Sequence, residues 1–253
     1  MKHRSAPWLA SLVLLASCAG GPQQQKDAAD NWHSVPLPGK KQTQYEAVHH
    51  DGRKAVRAHS ERAASMWRRK LSVPAPDLHE VSFSWWVQDQ PQNASVGDAH
   101  REDSAARVMF AFDGNVAALP MRTRALFELA EALTGESPPY ATLMYVWDAT
   151  APVGSVITNP RSDRIRKIVV DSGTAQLGRW RDHRRHLADD FRLAFGEAPG
   201  ALTSVALMAD SDNTQSTARA WFGDVQFHPD PPGAPQRLLH PPARTRQPAT
   251  ELL

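Results

Sequence analysis

Cysteine is almost missing from this sequence of 253 residues, in which Cys18 is the only one. A chain with one cysteine cannot form an internal disulfide, so its folded part must be stabilised by a hydrophobic core. The sequence also lacks a glycine-rich phosphate-binding loop, and its 11 histidines show no spacing typical of a zinc site. These absences remove the usual sequence signatures of nucleotide-dependent enzymes and of structural zinc proteins.

An excess of charge of one sign is lacking as well. The 29 Lys and Arg residues nearly balance the 27 Asp and Glu residues, which gives a formal net charge of +2. A chain with such a balance has no general electrostatic attraction for a polyanion. We therefore expect no nucleic-acid partner.

The N-terminus has an apolar run that is too short to span a bilayer. Residues 6–16 are mostly apolar and follow three basic residues at positions 2–4, which is the pattern of a secretory signal peptide. Residues 15–18, Leu-Ala-Ser-Cys, resemble the lipobox of bacterial lipoproteins. That resemblance implies cleavage before Cys18 and diacylglycerol on its thiol, and Ala19 then implies sorting to the outer membrane. The alternative is an ordinary cleaved signal peptide with an incidental cysteine.

The sequence divides into four segments. We expect a signal peptide with its lipobox in residues 1–18, a flexible tether in 19–30, a single β-sandwich domain in 31–228 and a disordered proline-rich tail in 229–253. The domain would face the periplasm and be held to the outer membrane through its N-terminal lipid. Its length suffices for one hydrophobic core.

Short stretches with alternating apolar and polar residues dominate the domain. The clearest is EVSFSWWVQ at residues 80–88, in which Trp85 points to the core and Trp86 to the other side. Further strands are predicted at 45–49, 54–60, 64–71, 107–113, 142–148 and 164–171. Parallel strands need long, usually helical, crossovers, so about eight strands with only two helices predict an antiparallel β-sandwich.

Two segments with helical periodicity are expected as amphipathic insertions in this sandwich. The first covers about residues 122–134, with an apolar stripe of Leu126, Leu129, Ala130 and Leu133. The second covers about 176–195 and has a basic face at 179–186. That face could meet the phosphate groups of lipids or simply be solvated.

Residues 202–227 are predicted to close the fold as two strands joined by the polar loop 210–214, Asp-Ser-Asp-Asn-Thr. An apolar strand followed by this loop looks like the nucleophile motif of haloacid-dehalogenase-type phosphatases, but it lies too near the end of the chain for that fold. The loop also lacks the glycine and final glutamate of an EF-hand. A looser calcium site near Asp210 and Asp212 and a hydrogen-bonded turn both remain open.

A surface for a polar ligand is predicted from two features. Trp86 shares its strand face with two serines and a glutamine, and such a face can hold a polar ligand against an aromatic ring. The alternative is that a helix or a loop covers this tryptophan. Acid and amide residues in loops and at strand ends add hydrogen-bonding groups. The candidate ligand-binding residues are Trp86, Asp148, Asn159, Arg166, Asp210, Asp212 and Asn213.

Several ordered segments resemble a bacterial family of uncharacterised lipoproteins known as domain of unknown function 3047. They are SFSWWVQD, RVMFAFDG, LFELAEALTG, PPYATLMYVWD, NPRSDRIRKIVVDSG and ALMADSDNT, within about residues 32–228. The resemblance implies no activity. The late aromatic-Gly-Asp motif at 221–224 is more distantly similar to jelly-roll modules of the galactose-binding type, which implies a carbohydrate-binding face and, in some modules, a structural calcium. The two inserted helices depart from those modules.

No nucleophile, base and orienting group can be assembled from residue spacing, so no catalytic residue is assigned. We expect a non-catalytic, lipid-anchored module that binds a glycan or another polar polymer in the periplasm. A hydrolase or lyase acting on such a polymer is the first alternative, and it requires two carboxyl groups about 5–10 Å apart across one groove. An assembly lipoprotein that binds another envelope protein is the second, and it requires an exposed apolar patch.

Overall fold

Two β-sheets form most of the computed structural model, which describes residues 31–229. The predicted signal peptide, the tether and residues 230–253 of the predicted tail lie outside this range. The seven-stranded sheet has the order β1 (His33–Pro36), β4 (Ser65–Val73), β11 (Leu202–Asp210), β6 (Ser104–Phe112), β7 (Ala141–Asp148), β9 (Ser162–Ser172) and β8 (Val156–Asn159). The six-stranded sheet has the order β10 (Trp180–His186), β5 (Glu80–Asp89), β12 (Thr217–Phe222), β3 (Arg53–Glu61) and β2 (Gln44–His50), with β13 (Gln226–His228) also paired to β5.

The two sheets pack face to face, which confirms the predicted mainly β sandwich. Large side chains from both inner faces form one core, among them Trp85 of β5, Phe110 of β6 and Tyr145 of β7, all fully buried. Consecutive strands alternate between the sheets from β3 to β6 and from β10 to β12, as in a jelly roll. The pair β7 and β9 is parallel and departs from the expected antiparallel pairing. The segment between them, which contains β8, is about as long as a parallel crossover requires.

A buried polar contact joins the two sheets inside this core. Asp171 of β9 accepts hydrogen bonds from Trp85 Nε1 (2.8 Å), His183 Nε2 (2.8 Å) and Arg181 Nε (3.1 Å) of the opposite sheet. Burial raises the pKa of Asp171, but the bonds from His183 and Trp85 outweigh it and hold the pKa below its usual range. A charged carboxylate is therefore retained in the sandwich interior.

The predicted second helix is wrong over its first half. Residues 180–186 form strand β10, and helix α2 covers only Leu187–Phe195, ending at Gly196 with φ +73°. The basic residues do not form one solvated face, because alternate members point inward. Arg181 and His183 contact Asp171, and Arg185 contacts Asp190. The strand was missed because its core-facing positions carry charged or polar side chains where apolar ones are usual.

The first helix, α1 (Met121–Thr134), lies where it was predicted, but its apolar stripe does not face the core. Leu126, Leu129 and Leu133 are 49, 56 and 69% exposed, and Phe127 on a neighbouring face is the buried residue of the helix. Neither helix within residues 31–229 is long and apolar enough to cross a membrane.

The predicted terminal hairpin is also wrong in its pairing. β11 and β12 have the expected alternation, but β11 pairs with β4 and β6, whereas β12 pairs with β3 and β5 of the other sheet. Their connecting loop crosses from one sheet to the other and is held by Asp103, which accepts hydrogen bonds from the backbone N–H groups of Asn213 and Thr214. The two strands therefore pack against each other through the core instead of forming a ladder.

Candidate functional site

Three tryptophans form a row across the outer face of the six-stranded sheet. Trp86 of β5 is in register with Trp180 of β10 on one side and with Trp221 of β12 on the other. All three side chains are half-buried, whereas their chain neighbours Trp85 and Phe222 are fully buried on the inner face. Adjacent strands lie about 4.8 Å apart, so pairing in register places the indoles side by side. We refer to Trp180, Trp86 and Trp221 as the tryptophan row.

The end of the β2–β3 hairpin lies over this row. The His50 ring stacks on Trp221, with 4.0 Å between centroids and 9° between planes, and its edge approaches Trp86 at 4.7 Å. The Arg53 guanidinium lies 4.9 Å from the centre of a Trp180 ring. It also forms a two-pronged ion pair with Asp182 of β10, at 2.5 and 3.2 Å. We refer to residues 50–53 as the hairpin tip.

Ring nitrogens in this cluster are buried without a hydrogen-bond partner among residues 31–229. They are Nε1 of Trp86, Nε1 of Trp180 and Nε2 of His50. More than nine in ten buried polar groups in proteins are hydrogen-bonded, and a buried donor without an acceptor costs about 1–3 kcal/mol. Water or polar atoms of another molecule would have to supply the hydrogen-bond partners of these two indole donors and of this imidazole nitrogen.

A groove continues from the tryptophan row along the same face. It has a volume of about 490 Å³, and its lining includes Ser82, Ser84, Asp182, Arg184 and Asp224. Ser84 and Asp182 are paired across β5 and β10, two residues along from the paired Trp86 and Trp180. Hydroxyl, carboxylate and guanidinium groups next to stacked rings form the composition of a site for a polar ligand that has apolar faces.

The arginines of this face are paired within the protein, and two further charged residues of the groove, Lys54 and Asp224, have opposite signs. Four arginines on this face each contact a carboxylate at 2.5–2.7 Å, in the pairs Arg53–Asp182, Arg57–Glu46, Arg184–Glu80 and Arg219–Asp89. A face with alternating, neutralised charges has no strong potential of either sign. The arrangement therefore suits a ligand without net charge.

The predicted ligand-binding residues are not brought together around Trp86. Four of them instead hold the loop at residues 90–103. Asp148 accepts the Val96 N–H at 2.8 Å, Asn159 donates to Glu102 Oε1 at 2.6 Å, and Asn213 donates its backbone N–H to Asp103 at 3.1 Å. Asp210 accepts the N–H of Ser104, the residue that follows this loop, at 3.0 Å.

The two remaining predicted residues also have contacts within the protein. Arg166 Nε donates to the carbonyl oxygen of Ala194 at the end of α2, at 3.2 Å, and its guanidinium lies 5.5 Å from the Phe195 ring centre. Asp212 pairs with Lys40. Trp86 is thus the member of the predicted set that lies in the tryptophan row.

A buried ionic network lies beneath the loop at residues 90–103. Arg107 bonds both oxygens of Asp210, at 3.0 and 2.9 Å, and Lys167 Nζ bonds Glu102 at 2.6 Å. Burial raises the pKa of Asp210 to about 7 although Arg107 opposes this. Burial and then the charge of Arg107 lower the pKa of Lys167 to about 8, against the effect of Glu102. Each charge has a partner, as burial of ions requires, so we assign this network to structure.

Three carboxylates could hold a metal ion. One oxygen from each of Asp103, Asp210 and Asp212 lies within 4.8 Å of the other two. These carboxylates already bind other groups: Asp103 accepts a backbone N–H from the loop after β11, Arg107 bonds Asp210, and Lys40 bonds Asp212. Oxygen ligands of this kind suit a hard cation, which would compete with the two basic side chains.

Sequence reasoning missed most of the site. Trp180 was assigned to a helix, and Trp221 was recognised only as a strand residue. The sequence did not predict that His50 and Arg53 lie over the tryptophan row, because their position depends on how the β2–β3 hairpin bends. The position of Trp86 on the same strand face as Ser82 and Ser84 was the one local signal.

Among solved structures, the chain is similar to a family 11 carbohydrate-binding module from Clostridium thermocellum in complex with a β-1,3-1,4-mixed-linked tetrasaccharide. That match has 11% identity, covers 77% of this chain and 86% of the module, and has a TM-score of 0.37. A second match is the xyloglucanase domain of NopAA from Sinorhizobium fredii, with 8% identity, coverage of 77% and 91%, and a TM-score of 0.40. No curated protein matches the sequence. A family model described as "Protein of unknown function (DUF3047)" matches residues 30–226, and the chain therefore belongs to this family.

Proposed function

We propose that this protein is a non-catalytic module that binds an uncharged glycan on the outer face of its six-stranded sheet. The observation that carries the proposal is the tryptophan row, with two buried indole N–H donors that lack partners among residues 31–229, beside a groove of about 490 Å³. A sugar ring has an apolar C–H face and a rim of hydroxyl groups. The first can stack on an indole, and the second can accept its N–H.

Trp86 is the central contact of the proposed site because it has a tryptophan on each side. Ser84 follows in the groove and supplies a hydrogen-bonding hydroxyl at the edge of the same sugar chain. Asp148, Asn159, Asp210 and the other predicted loop residues bond to the protein itself, so we place the ligand at Trp86 and not at the loops.

The proposal is tested with the purified full-length protein in detergent and a panel of uncharged envelope polysaccharides. Binding is measured by calorimetry, and we expect Trp86→Ala to weaken it at least tenfold, because a stacked ring and its N–H donor are both lost. Trp32→Ala is the matched control, since Trp32 is also half-buried but contacts Arg69 instead of this row.

Two results would overturn the proposal. One is the absence of binding to every polysaccharide in the panel. The other is release of new reducing ends or unsaturated sugars during incubation, which would replace the binding module with the hydrolase or lyase. A glycan that binds Trp86→Ala and the wild type equally would move the site away from the row.

A second candidate function has support from α1. Its exposed leucines at positions 126, 129 and 133 form the kind of apolar patch that an assembly lipoprotein presents to another envelope protein. Leu129→Lys should then abolish a specific cross-linked complex in the envelope, whereas Glu131→Lys, an exposed change in the same helix, should leave it intact. Equal cross-linking in both variants would remove this candidate.

We propose that Cys18 is lipidated and anchors the protein in the outer membrane, with the domain facing the periplasm. Cys18 lies outside the described residues, and the proposal rests on the lipobox-like sequence and the N-terminal basic residues. Cys18→Ser should abolish incorporation of radioactive palmitate and should move the protein from the outer-membrane fraction to the soluble fraction. Palmitate labelling of Cys18→Ser would contradict the assignment.

Calcium is the ion we propose for the three-carboxylate cluster, because carboxylate oxygens suit this cation. At 100 times its dissociation constant, a bound ion should stabilise the fold by about 2.7 kcal/mol. We expect Ca²⁺ to raise the melting temperature of the wild type and not that of Asp212→Asn. Equal shifts in both proteins would argue against the site.

A further inference from the structure

The hairpin tip occupies the surface on which the ligand is proposed to stack. His50 covers the Trp221 ring face to face and meets Trp86 edge-on, and Arg53 lies over Trp180. The tip turns through Asp51 (φ +44°) and Gly52 (φ +78°), whose positive φ values are typical of a tight two-residue hairpin turn. A sugar ring and the His50 ring therefore cannot lie on Trp221 at the same time.

The tip is attached to this face by weak contacts. The Arg53–Asp182 ion pair is solvated, with side chains 43% and 65% exposed, and such pairs contribute between zero and about 1 kcal/mol. The other contacts are the stacked and edge-on rings. The backbone hydrogen bonds of residues 50 and 53 are made within the hairpin, between β2 and β3, and do not reach β5 or β10.

Strand order leaves the hairpin free to bend. β2 is the edge strand of the six-stranded sheet and pairs only with β3 among the described strands. The β3–β12 ladder ends at the Val56–Phe222 pair, so beyond it β3 too is bonded only to β2 among the described strands, and the end of the hairpin can separate from the face at lower free energy. The covered state meanwhile leaves His50 Nε2 and the indole nitrogens of Trp86 and Trp180 without partners among residues 31–229.

We propose that the hairpin tip is a displaceable cover of the tryptophan row, which a saccharide replaces when it binds. This inference rests on the proposed function. In the open state the sugar ring takes the position of His50 against Trp221, and its hydroxyl oxygens accept the N–H groups of Trp86 and Trp180. The apparent affinity equals the intrinsic affinity multiplied by the fraction of molecules in the open state.

The first test needs no ligand. Asp182→Asn weakens the ion pair that holds Arg53, and we expect it to increase acrylamide quenching of tryptophan fluorescence and to speed hydrogen exchange at the Trp86 and Trp180 indoles in NMR spectra. Asp89→Asn is the matched control, because the Arg219–Asp89 pair on the same sheet is also 2.5 Å long and has side chains 48% and 39% exposed, but lies outside the tip. It should change neither signal.

The second test measures glycan affinity in the same variants. Asp182→Asn should lower the apparent dissociation constant by up to about fivefold, which is the most that loss of a solvated ion pair can contribute. His50→Ala, which removes the ring from Trp221, should lower it further, and Asp89→Asn should leave it unchanged.

The two tests distinguish failure of the proposed cover from failure of the proposed glycan binding. Faster indole exchange in Asp182→Asn without binding to any glycan would support the mobile tip and overturn the proposed ligand. Unchanged exchange and quenching in both Asp182→Asn and His50→Ala would overturn the cover, whatever the ligand. Weaker glycan binding in His50→Ala would also overturn it, because the histidine would then be part of the binding surface.

Discussion

Gly223 sets how closely the end of β12 approaches β5. Its N–H donates to the Ser84 carbonyl oxygen at 3.0 Å, and a Cβ at this position would overlap Ser84 Oγ. Ser84 precedes Trp86 by two residues on the same face, so displacement of this strand would also move the central indole. A Cβ at this position would therefore force Ser84 Oγ into another rotamer, next to the tryptophan row.

Gly223→Ala should destabilise the protein by about 0.5–1.5 kcal/mol, which is the usual cost of an unfavourable side-chain rotamer, here that of Ser84, and should weaken glycan binding. Urea unfolding and calorimetry measure the two effects. Gly97→Ala is the matched control, since its Cβ would meet Ile157 Cγ2 at an ordinary 3.6 Å. Equal stability of the two variants would contradict the close approach.

Asp171 makes the free energy of unfolding depend on pH. Its pKa is held below the usual range by His183 and Trp85 although burial opposes this, so between that lowered value and about 4 the folded state binds fewer protons than the unfolded state. The ionised Asp171 therefore makes its full contribution to the free energy of unfolding above about pH 5, and this contribution is lost as the pH falls through the folded-state pKa.

We expect Asp171→Asn to lower the free energy of unfolding by about 1–3 kcal/mol at pH 7, because the charge-assisted hydrogen bonds become weaker. The difference from the wild type should shrink as the pH falls from 5 towards 3. Urea unfolding at several pH values measures it, and a difference that stays constant over this range would be inconsistent with a depressed pKa.

At the scale of elements, the loop at residues 90–103 is fixed to the outer face of the seven-stranded sheet by buried charges. Glu102 accepts hydrogen bonds from Lys167, Asn159 and Arg161, each at 2.6 Å, and Lys167 is fully buried. Val96 of the same loop packs against Met144, Val146 and Val169 on that face. The loop is therefore part of the packed structure.

Glu102→Gln should lower the stability by about 3 kcal/mol, because Lys167 would lose its carboxylate partner in a buried site. Limited proteolysis should also become faster within residues 90–103. Asp98→Asn is the control in the same loop, since the Asp98–Arg101 pair is at the surface, and its urea midpoint should match that of the wild type. Similar midpoints for both variants would show that the network contributes little.

Elements with an apolar alternation could be predicted from the sequence, and those with inward charges could not. β5 was predicted almost to its ends because Val81, Phe83 and Trp85 alternate with polar residues. β10 was missed because Arg181, His183 and Arg185 occupy its inner positions, where they pair with Asp171 of β9 and Asp190 of α2. Local periodicity contains no information about such partners.

At the scale of the whole molecule, the candidate site depends on strand register. The sequence identified Trp86 from its strand face, but its alignment with Trp180 and Trp221 joins residues about 94 and 135 positions away and follows from the order of strands in the sheet. The acid and amide residues appeared equally suitable for ligand binding, since a sequence does not show that Asp148 and Asn159 bond to a loop.

The balance of charge on the binding face predicts a weak effect of salt. Each arginine around the groove is paired with a carboxylate, so an uncharged glycan gains little from long-range attraction. We expect the dissociation constant to change less than about twofold between 50 and 500 mM NaCl, measured by calorimetry. A strong weakening by salt would indicate an anionic polymer instead.

The positions of β11 and β12 have a consequence for the order of folding. β11 lies between β4 and β6, and β12 lies between β5 and β3, so the last long strands of the chain are internal in both sheets. Without β11 and β12, each sheet separates into two parts that are not joined by backbone hydrogen bonds between strands. Contacts between such distant segments form slowly, and the nascent chain cannot complete either sheet until its C-terminal part has been made. Such a delay would suit the export that we propose, because a secretion channel accepts an unfolded chain.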